Sequence, residues 1–213
     1  MAQARLWTDV DVFMQSAIAA AKPITAITKA AEGVVSAAAH GYSTGDYVLI
    51  NAQGMSELDG RIFRVVSVDA GQFKLEGEDT TLYADFSSGS AQKITFGTTL
   101  ATLTTVNASG GEPEMKDTTP ISAKQKSSIP GLSSASEYKF DSLWDPNDAG
   151  LKAAKAASNT KAQRAFMIVF ADGARVAFYG YISANLQPTG STGDVVKTPV
   201  NITAQGALTS YGS

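Results

Sequence analysis

The chain contains no cysteine and a single histidine. The first absence removes disulfides and thiolate metal sites and leaves the redox compartment open. The second leaves the usual nucleophile–base pairs of enzymes nearly unavailable. Charge is scarce as well: Asp, Glu, Lys and Arg make up 17% of the residues, with a net charge of -3. A protein that grips nucleic acid through its phosphates needs a concentrated Lys/Arg face, so tight DNA binding is disfavoured. No segment approaches the roughly 20 apolar residues needed to cross a bilayer. The longest N-terminal apolar stretch, Ala17 to Ala21, is short, Ala-rich and preceded by Asp9 and Asp11, without the basic start of a signal peptide. The expectation is a protein made and folded in the cytoplasm with no membrane association.

What remains is a chain of 213 residues, 44% hydrophobic and rich in Ala, Gly, Ser and Thr. That length holds one large domain, or a medium domain carrying a small second one, with a sizeable core in either case. The low charge suits a surface that packs against other proteins.

Near Lys22 and Pro23 an Ala-rich stretch gives way to a Val/Ile/Tyr/Phe-rich region with frequent turn signals, which reads as all-β. Five strands are expected there: Gly33 to Ala38, Tyr47 to Asn51, Arg61 to Val68, Gln72 to Leu75 and Ala91 to Thr95. Five short strands in about seventy residues suggest a small barrel or sandwich. The region 24–94 holds nine acidic against five basic residues, a net of -4, which leaves +1 for the rest of the chain. The expected organisation is therefore a main domain of residues 1–23 and 95–213, with a small all-β domain of residues 24–94 inserted in it.

Beyond Phe96, Leu100 to Asn107 and Glu112 to Thr118 are strand candidates around the turn Ser109-Gly110-Gly111. Thr119 to Gly131 has no apolar periodicity and reads as a long exposed loop. Glu137 to Asp141 alternates charge with aromatic ring, as a half-buried strand does. The clearest helix start follows, with Asp145 as cap, Pro146 in the first turn and Asp148 at the positive end. That helix is expected to reach about Ala157, with Gly150 as a weak point and Ser158-Asn159-Thr160 as its terminator. Ala165 to Phe170, a turn at Ala171-Asp172-Gly173, and Arg175 to Ala184 form a hairpin. Val195 to Gln205 alternates, and Pro199 within it points to an edge or bulged strand.

Enzyme-like patterns fit poorly. His40 precedes Gly41 in an expected turn and has no partner at a ligand spacing. Gly41-Tyr42-Ser43-Thr44-Gly45 has the spacing of a hydrolase nucleophile elbow, but the elbow needs a helix after Ser43 and a later histidine, and the sequence offers a strand and none. There is no phosphate-binding loop and no zinc pattern. The carboxylates Glu76, Glu78 and Asp79 are read as an exposed acidic face. Tyr42, Tyr47, Tyr83 and Phe86 are candidates for a carbohydrate-stacking patch, with the filling of a small barrel core as the more economical reading. No catalytic residue, metal or cofactor is expected.

Asp117-Thr118-Thr119 with Ile129-Pro130-Gly131-Leu132, the strand around Phe140, the helix after Trp144-Asp145-Pro146, the hairpin at Phe170-Ala171-Asp172-Gly173, and the run from Gln187-Pro188-Thr189-Gly190 to Val200-Asn201-Ile202-Thr203 follow one another in this order. That order resembles the tail tube proteins of long, non-contractile-tailed bacteriophages. Separately, His40-Gly41-Tyr42, Gly45-Asp46-Tyr47-Val48, Gly54-Met55, Leu58-Asp59-Gly60-Arg61 and Phe73-Lys74-Leu75 resemble a small β-barrel module of phage virion proteins that is similar to a domain of ubiquitin-activating enzymes.

The resemblance implies two packed antiparallel sheets with one flanking helix, six copies in a ring, and rings stacked into a hollow conduit in the virion tail. Double-stranded genomic DNA passes through without sequence-specific binding, and the implied partners are the chain itself, a tape-measure protein and tail terminator or tip proteins. Under this reading Thr119, Lys124, Lys126 and Ile129 are candidate inter-ring contacts. The two lysines touch either DNA or acidic residues of the next ring, and the ring is favoured because two cations give little salt-dependent affinity. Glu112 and Glu114 are candidate lumen-facing acids that repel phosphates, the other reading being that they meet solvent or a neighbour. The arm Met1 to Thr8 and the loop Thr119 to Gly131 are expected to order on assembly, and the inserted module to decorate the exterior. A low-copy tail-tip or baseplate hub component, a secretion-system tube protein, and a serine hydrolase using Ser43 are the alternatives, in that order.

Overall fold

The computed structural model describes residues 7–212. In chain order the elements are β1 (Asp11–Ile18), β2 (Lys22–Ile24), β3 (Ala26–Ile27), β4 (Val34–Ser36), β5 (Tyr47–Gln53), a 3-10 turn (Ser56–Leu58), β6 (Arg61–Val66), β7 (Gln72–Leu75), β8 (Ser88–Thr99), β9 (Leu103–Ser109), β10 (Pro113–Asp117), β11 (Ser128–Ser133), β12 (Glu137–Leu143), α1 (Ala149–Thr160), β13 (Arg164–Val169), β14 (Arg175–Ala184) and β15 (Lys197–Tyr211). The protein is mainly β with one flanking helix, as the sequence pattern suggested. Thirteen strands join in one curled sheet in the order β3-β4-β7-β6-β5-β8-β1-β13-β14-β15-β12-β9, with β2 paired to β8; β10 and β11 form a separate hairpin.

Three apolar clusters hold the molecule. One lies between α1 and the curve of β1, β13, β14, β15 and β12, built on Met14, Phe140, Leu151, Phe166, Phe178 and Ile202. Leu151, Ala154 and Ala157 place one stripe of α1 against the sheet, the spacing an amphipathic helix needs. A second cluster, around Val35, Ile50, Leu58, Phe63, Phe73 and Ala91, is drawn wholly from residues 24–91. The third joins the two regions: Tyr47, Leu49, Ile62 and Ile94 pack against Ala165, Met167, Ala177 and Tyr211. The segment 24–94 thus has a core of its own and a buried seam with the rest. β8 runs through both, paired with β5 along one half and with β1 along the other.

Polar groups reinforce the seam. The Arg64 amide donates to the Tyr211 hydroxyl at 2.8 Å and the Thr209 hydroxyl donates to the Ile62 carbonyl at 2.6 Å. The Arg64 guanidinium lies 4.8 Å from the centre of the Tyr211 ring and is paired with Glu76. Burial pushes the Tyr211 hydroxyl pKa up to about 12.

Several local expectations shift. The helix cap is Asp148, whose Oδ1 accepts from the Leu151 amide at 2.7 Å, while Asp145 caps the turn before it through Asn147. The helix continues through Thr160, whose hydroxyl donates back to the carbonyls of Ala156 and Ala157, and Lys161 ends it at φ 50°. The expected loop from Thr119 to Gly131 is in part strand, because β11 begins at Ser128. Pro199 lies opposite Asp141 of β12, one residue beyond Val200, where the pairing with β14 ends, so β15 is locally an edge there and a missing N–H is tolerated. β1 was hidden in the Ala-rich stretch and is central, paired on both sides.

Candidate assembly surface

The hairpin of β10 and β11 leaves the body between the end of β9 and the start of β12. Every residue from Asn107 to Ala135 is exposed except Thr119, which is half-buried. Met115, Ile121, Ile129 and Leu132 are among the exposed large apolar side chains, Ile121 and Leu132 almost completely so. A two-stranded hairpin without a core is marginal in water by itself. This one is shaped by its own polar groups: the Thr119 hydroxyl accepts from the Ser127 amide at 2.9 Å, and the Thr119 amide donates to Asp117 at 2.8 Å. Hydrogen bonds from Thr119 hold the Asp117 carboxyl below its ordinary pKa.

Each sequence-derived candidate can be placed. Lys124 and Lys126 sit exposed in the turn region between β10 and β11, and Ile129 lies on β11 opposite Lys116. Thr119 spends its hydroxyl inside the hairpin. Glu114 is on β10 and pairs with Lys116 at 2.7 Å, and Glu112 precedes the strand at its root, its carbonyl accepting from the Ser134 amide. Both carboxylates are exposed. Of the arm Met1 to Thr8, residues 1–6 lie outside the described part; the Trp7 ring stands 5.4 Å from that of Phe170.

A broad sheet face and a free edge accompany the hairpin. β9 is the last strand of the large sheet, so one side of its backbone is unpaired. The face of β9, β12, β15 and β14 turned away from α1 carries Thr105, Asn107, Lys139, Asp141, Asn201, Gln205, Tyr181 and Ser183, all exposed. Its charges pair locally: Lys139 lies 3.4 Å from Glu137, and Asp141 accepts from the Thr105 hydroxyl at 3.0 Å. At the far end of the β9–β12 ladder from the hairpin, Leu143, Trp144, Val195 and Val196 form an exposed apolar patch. The Trp144 amide donates to the Val196 carbonyl at 3.0 Å, and its indole N–H donates to the Leu186 carbonyl at 2.9 Å. The hairpin's second strand and this patch escaped the sequence reading, since exposed apolar residues follow no burial period.

The residues weighed for chemistry have structural partners. His40 is buried, its Nδ1 accepting from the Tyr42 amide and its Nε2 facing the Asp69 carbonyl at 2.8 Å. Ser43 lies in a turn where its amide donates to Asp46, and the strand β5 follows. Tyr42 is buried, with its hydroxyl donating to the Ala91 carbonyl at 2.8 Å and its pKa pushed up to about 12 by burial. Tyr47 is buried in the seam, while Tyr83 and Phe86 are half-buried against the core of segment 24–94. Among the described residues no group of three or more His, Asp or Glu side chains could hold a metal, and no helix is long and apolar enough to cross a membrane.

No curated protein matches the chain. The family model described as phage tail tube protein, TTP, matches residues 53–213, well over half of the sequence and everything from the end of β5 onward, including hairpin, open face and patch. The chain belongs to the phage tail tube protein family and is a structural component of the viral tail.

Proposed function

We propose that this protein is the repeating subunit of a long, non-contractile tail, six copies closing a ring and rings stacking into the conduit that delivers double-stranded DNA. The observation that carries the assembly reading is the hairpin of β10 and β11, which exposes Met115, Ile121, Ile129 and Leu132 with nothing among the described residues to cover them. A family of tube proteins supplies the covering partner in the form of further copies. The free edge of β9 suits lateral joining, because an unpaired strand edge is protected or used.

The face of β9, β12, β15 and β14 is the wall that meets DNA. Paired charges and short polar side chains give it little grip on phosphates, and Glu112 and Glu114 at the hairpin root add repulsion at its margin. Tape-measure and terminator proteins would meet the same lumen and the tube's end. Segment 24–94 is an inserted module on the outer side, supported by its self-contained core.

Electron microscopy of the purified, concentrated protein tests the assignment. Hollow tubes with six-fold rings are expected. Single rings that never stack would move the assignment to a low-copy tail-tip component, and a strict monomer under all conditions would remove the tube.

A further inference from the structure

We infer that the exposed lysine face of α1 is the seat for the acidic turn between β5 and β6 of the neighbouring copy in the same ring, an inference that rests on the tube assignment above. α1 contains no acidic residue, and Leu151, Ala154 and Ala157 turn one side of it to the core. Lys152 and Lys155, one turn apart, stand on the other side with Ala156 and Asn159, and Lys161 follows at the cap. All three lysines are exposed, and none enters an ion pair among the described residues.

Segment 24–94 carries the opposite surplus. Its five cations are taken up by five of its nine acids: Lys29 pairs with Asp85, Arg61 with Glu78, Arg64 with Glu76, Lys74 with Glu32 and Lys93 with Asp46. The four acids left over, Glu57, Asp59, Asp69 and Asp79, are all exposed. Two of them, Glu57 and Asp59, share the turn that joins β5 to β6.

Within one chain the sheet stands between these surfaces. Along β13, Phe166 and Ile168 belong to the core beneath α1, whereas Ala165 and Met167 belong to the seam with segment 24–94. β14 repeats the alternation with Phe178 and Ala177. Successive strand residues face opposite sides, so the helix and the segment lie on opposite faces of the same two strands. The turn that meets α1 therefore belongs to another copy. A subunit that is negative on one flank and positive on the other joins its own kind through two different surfaces, and rotation about a common axis closes such a contact into a ring. Each exposed ion pair is weak by itself. Repeated at every interface, the pattern penalises the meeting of like flanks and so sets which flank meets which.

The absence of cysteine leaves the test free of background thiols. Ser56→Cys with Ala156→Cys places one thiol on each surface, both at exposed positions. After assembly and treatment with a short bis-maleimide, the double variant is expected to give a ladder of covalent multimers on a denaturing gel that stops at the copy number of one ring. Each single variant should give nothing beyond a dimer. A ladder running past that number would place the contact between rings and overturn the inference. Tubes visible by microscopy with only monomer on the gel would overturn it too, and would leave the tube assignment standing. Failure of the unsubstituted protein to assemble at all would remove both. As a second readout, Lys152→Glu with Lys155→Glu is expected to lose the tubes at low salt while circular dichroism stays unchanged, and adding Glu57→Lys to recover part of them. Tubes at the parent's yield in the lysine variant, or no recovery with every variant folded, count against the pairing.

Discussion

Replacing Gly150 by alanine should destabilise the protein, although the same change in an isolated helix stabilises it. Gly150 lies in the first turn of α1, where alanine is favoured over glycine by about 1 kcal/mol. Here a Cβ would stand 2.2 Å from the Thr99 carbonyl oxygen at the end of β8, with Asp148 Oδ1, the cap acceptor, at 3.2 Å. Ordinary contact requires about 1 Å more, so the helix must back away from the sheet by that amount. Leu151 and Ala154, both buried, would then lose part of their packing. Overpacking of this kind costs about 1–3 kcal/mol or more, and a backbone oxygen cannot rotate aside as a side chain can. Taking the upper end of that range for a clash with backbone and subtracting the propensity gain, the expected net loss is about 2 kcal/mol, and for a chain of this size that lowers Tm by about 4–8 °C. The assay is thermal unfolding of the unassembled protein followed by circular dichroism. Asn159→Ala, on the exposed side of the same helix, serves as control and should raise stability by about 0.5 kcal/mol. A Gly150→Ala protein that melts at or above the temperature of the parent would refute the close-approach argument.

Other outcomes follow from the seam and the buried tyrosines. Tyr211→Phe removes the acceptor of the Arg64 amide and should cost about 1–3 kcal/mol in chemical denaturation, with little loss of the cation–ring contact. Thr209→Val deletes a buried hydroxyl that bridges the Ile62 and Ala177 carbonyls and should cost about 1–2 kcal/mol by the same measurement. Tyr42 and Tyr211 have folded pKa values raised to about 12 from about 10 in the unfolded chain. Their contribution is therefore complete below pH 10 and lost as pH rises towards 12, because the unfolded chain releases the protons first. Absorbance titration of tyrosinate should place Tyr42 and Tyr211 among the late groups, and Tyr42→Phe with Tyr211→Phe should flatten the alkaline fall in stability. Raised salt should weaken stacking more than folding, measured as tube loss by light scattering while circular dichroism holds, since the hairpin lysines are exposed to screening ions.

Much of the fold was legible wherever burial imposed a period. Gln72 to Leu75 and Arg175 to Ala184 appear as strands with the expected limits, because Phe73 and Leu75, or Phe178 and Ile182, alternate into a core. The helix was foreseen but displaced: Asp145 and Asp148 are both capable caps, and only tertiary packing against β8 decides that the second is used. β1 was missed because Gln15, Ser16 and Ala17 dilute its apolar residues, although Gln15 is buried and its side-chain oxygen accepts from the Ala165 amide. β11 was missed because none of its residues is buried and Pro130 and Gly131 oppose strand formation. The assembly surface was half visible. Lys124 and Lys126 stood out as charges in a patternless stretch, whereas the Leu143–Trp144–Val195–Val196 patch joins residues some fifty positions apart, which the ladder of β12 and β15 brings together.

Along its twelve residues β8 gives Ala91 to the core of segment 24–94 and Ile94 to the seam with the rest of the chain. Segment 24–94 shares that strand with the rest of the chain and cannot swivel as a bead on a tether does; it is a fin, set at a fixed bearing. Leu82, almost wholly exposed on that fin, marks a loop where a foreign peptide could be spliced. In a regular assembly every copy of such a peptide would point the same way relative to its subunit, turning the particle into a ruler-like scaffold with ligands at constant intervals.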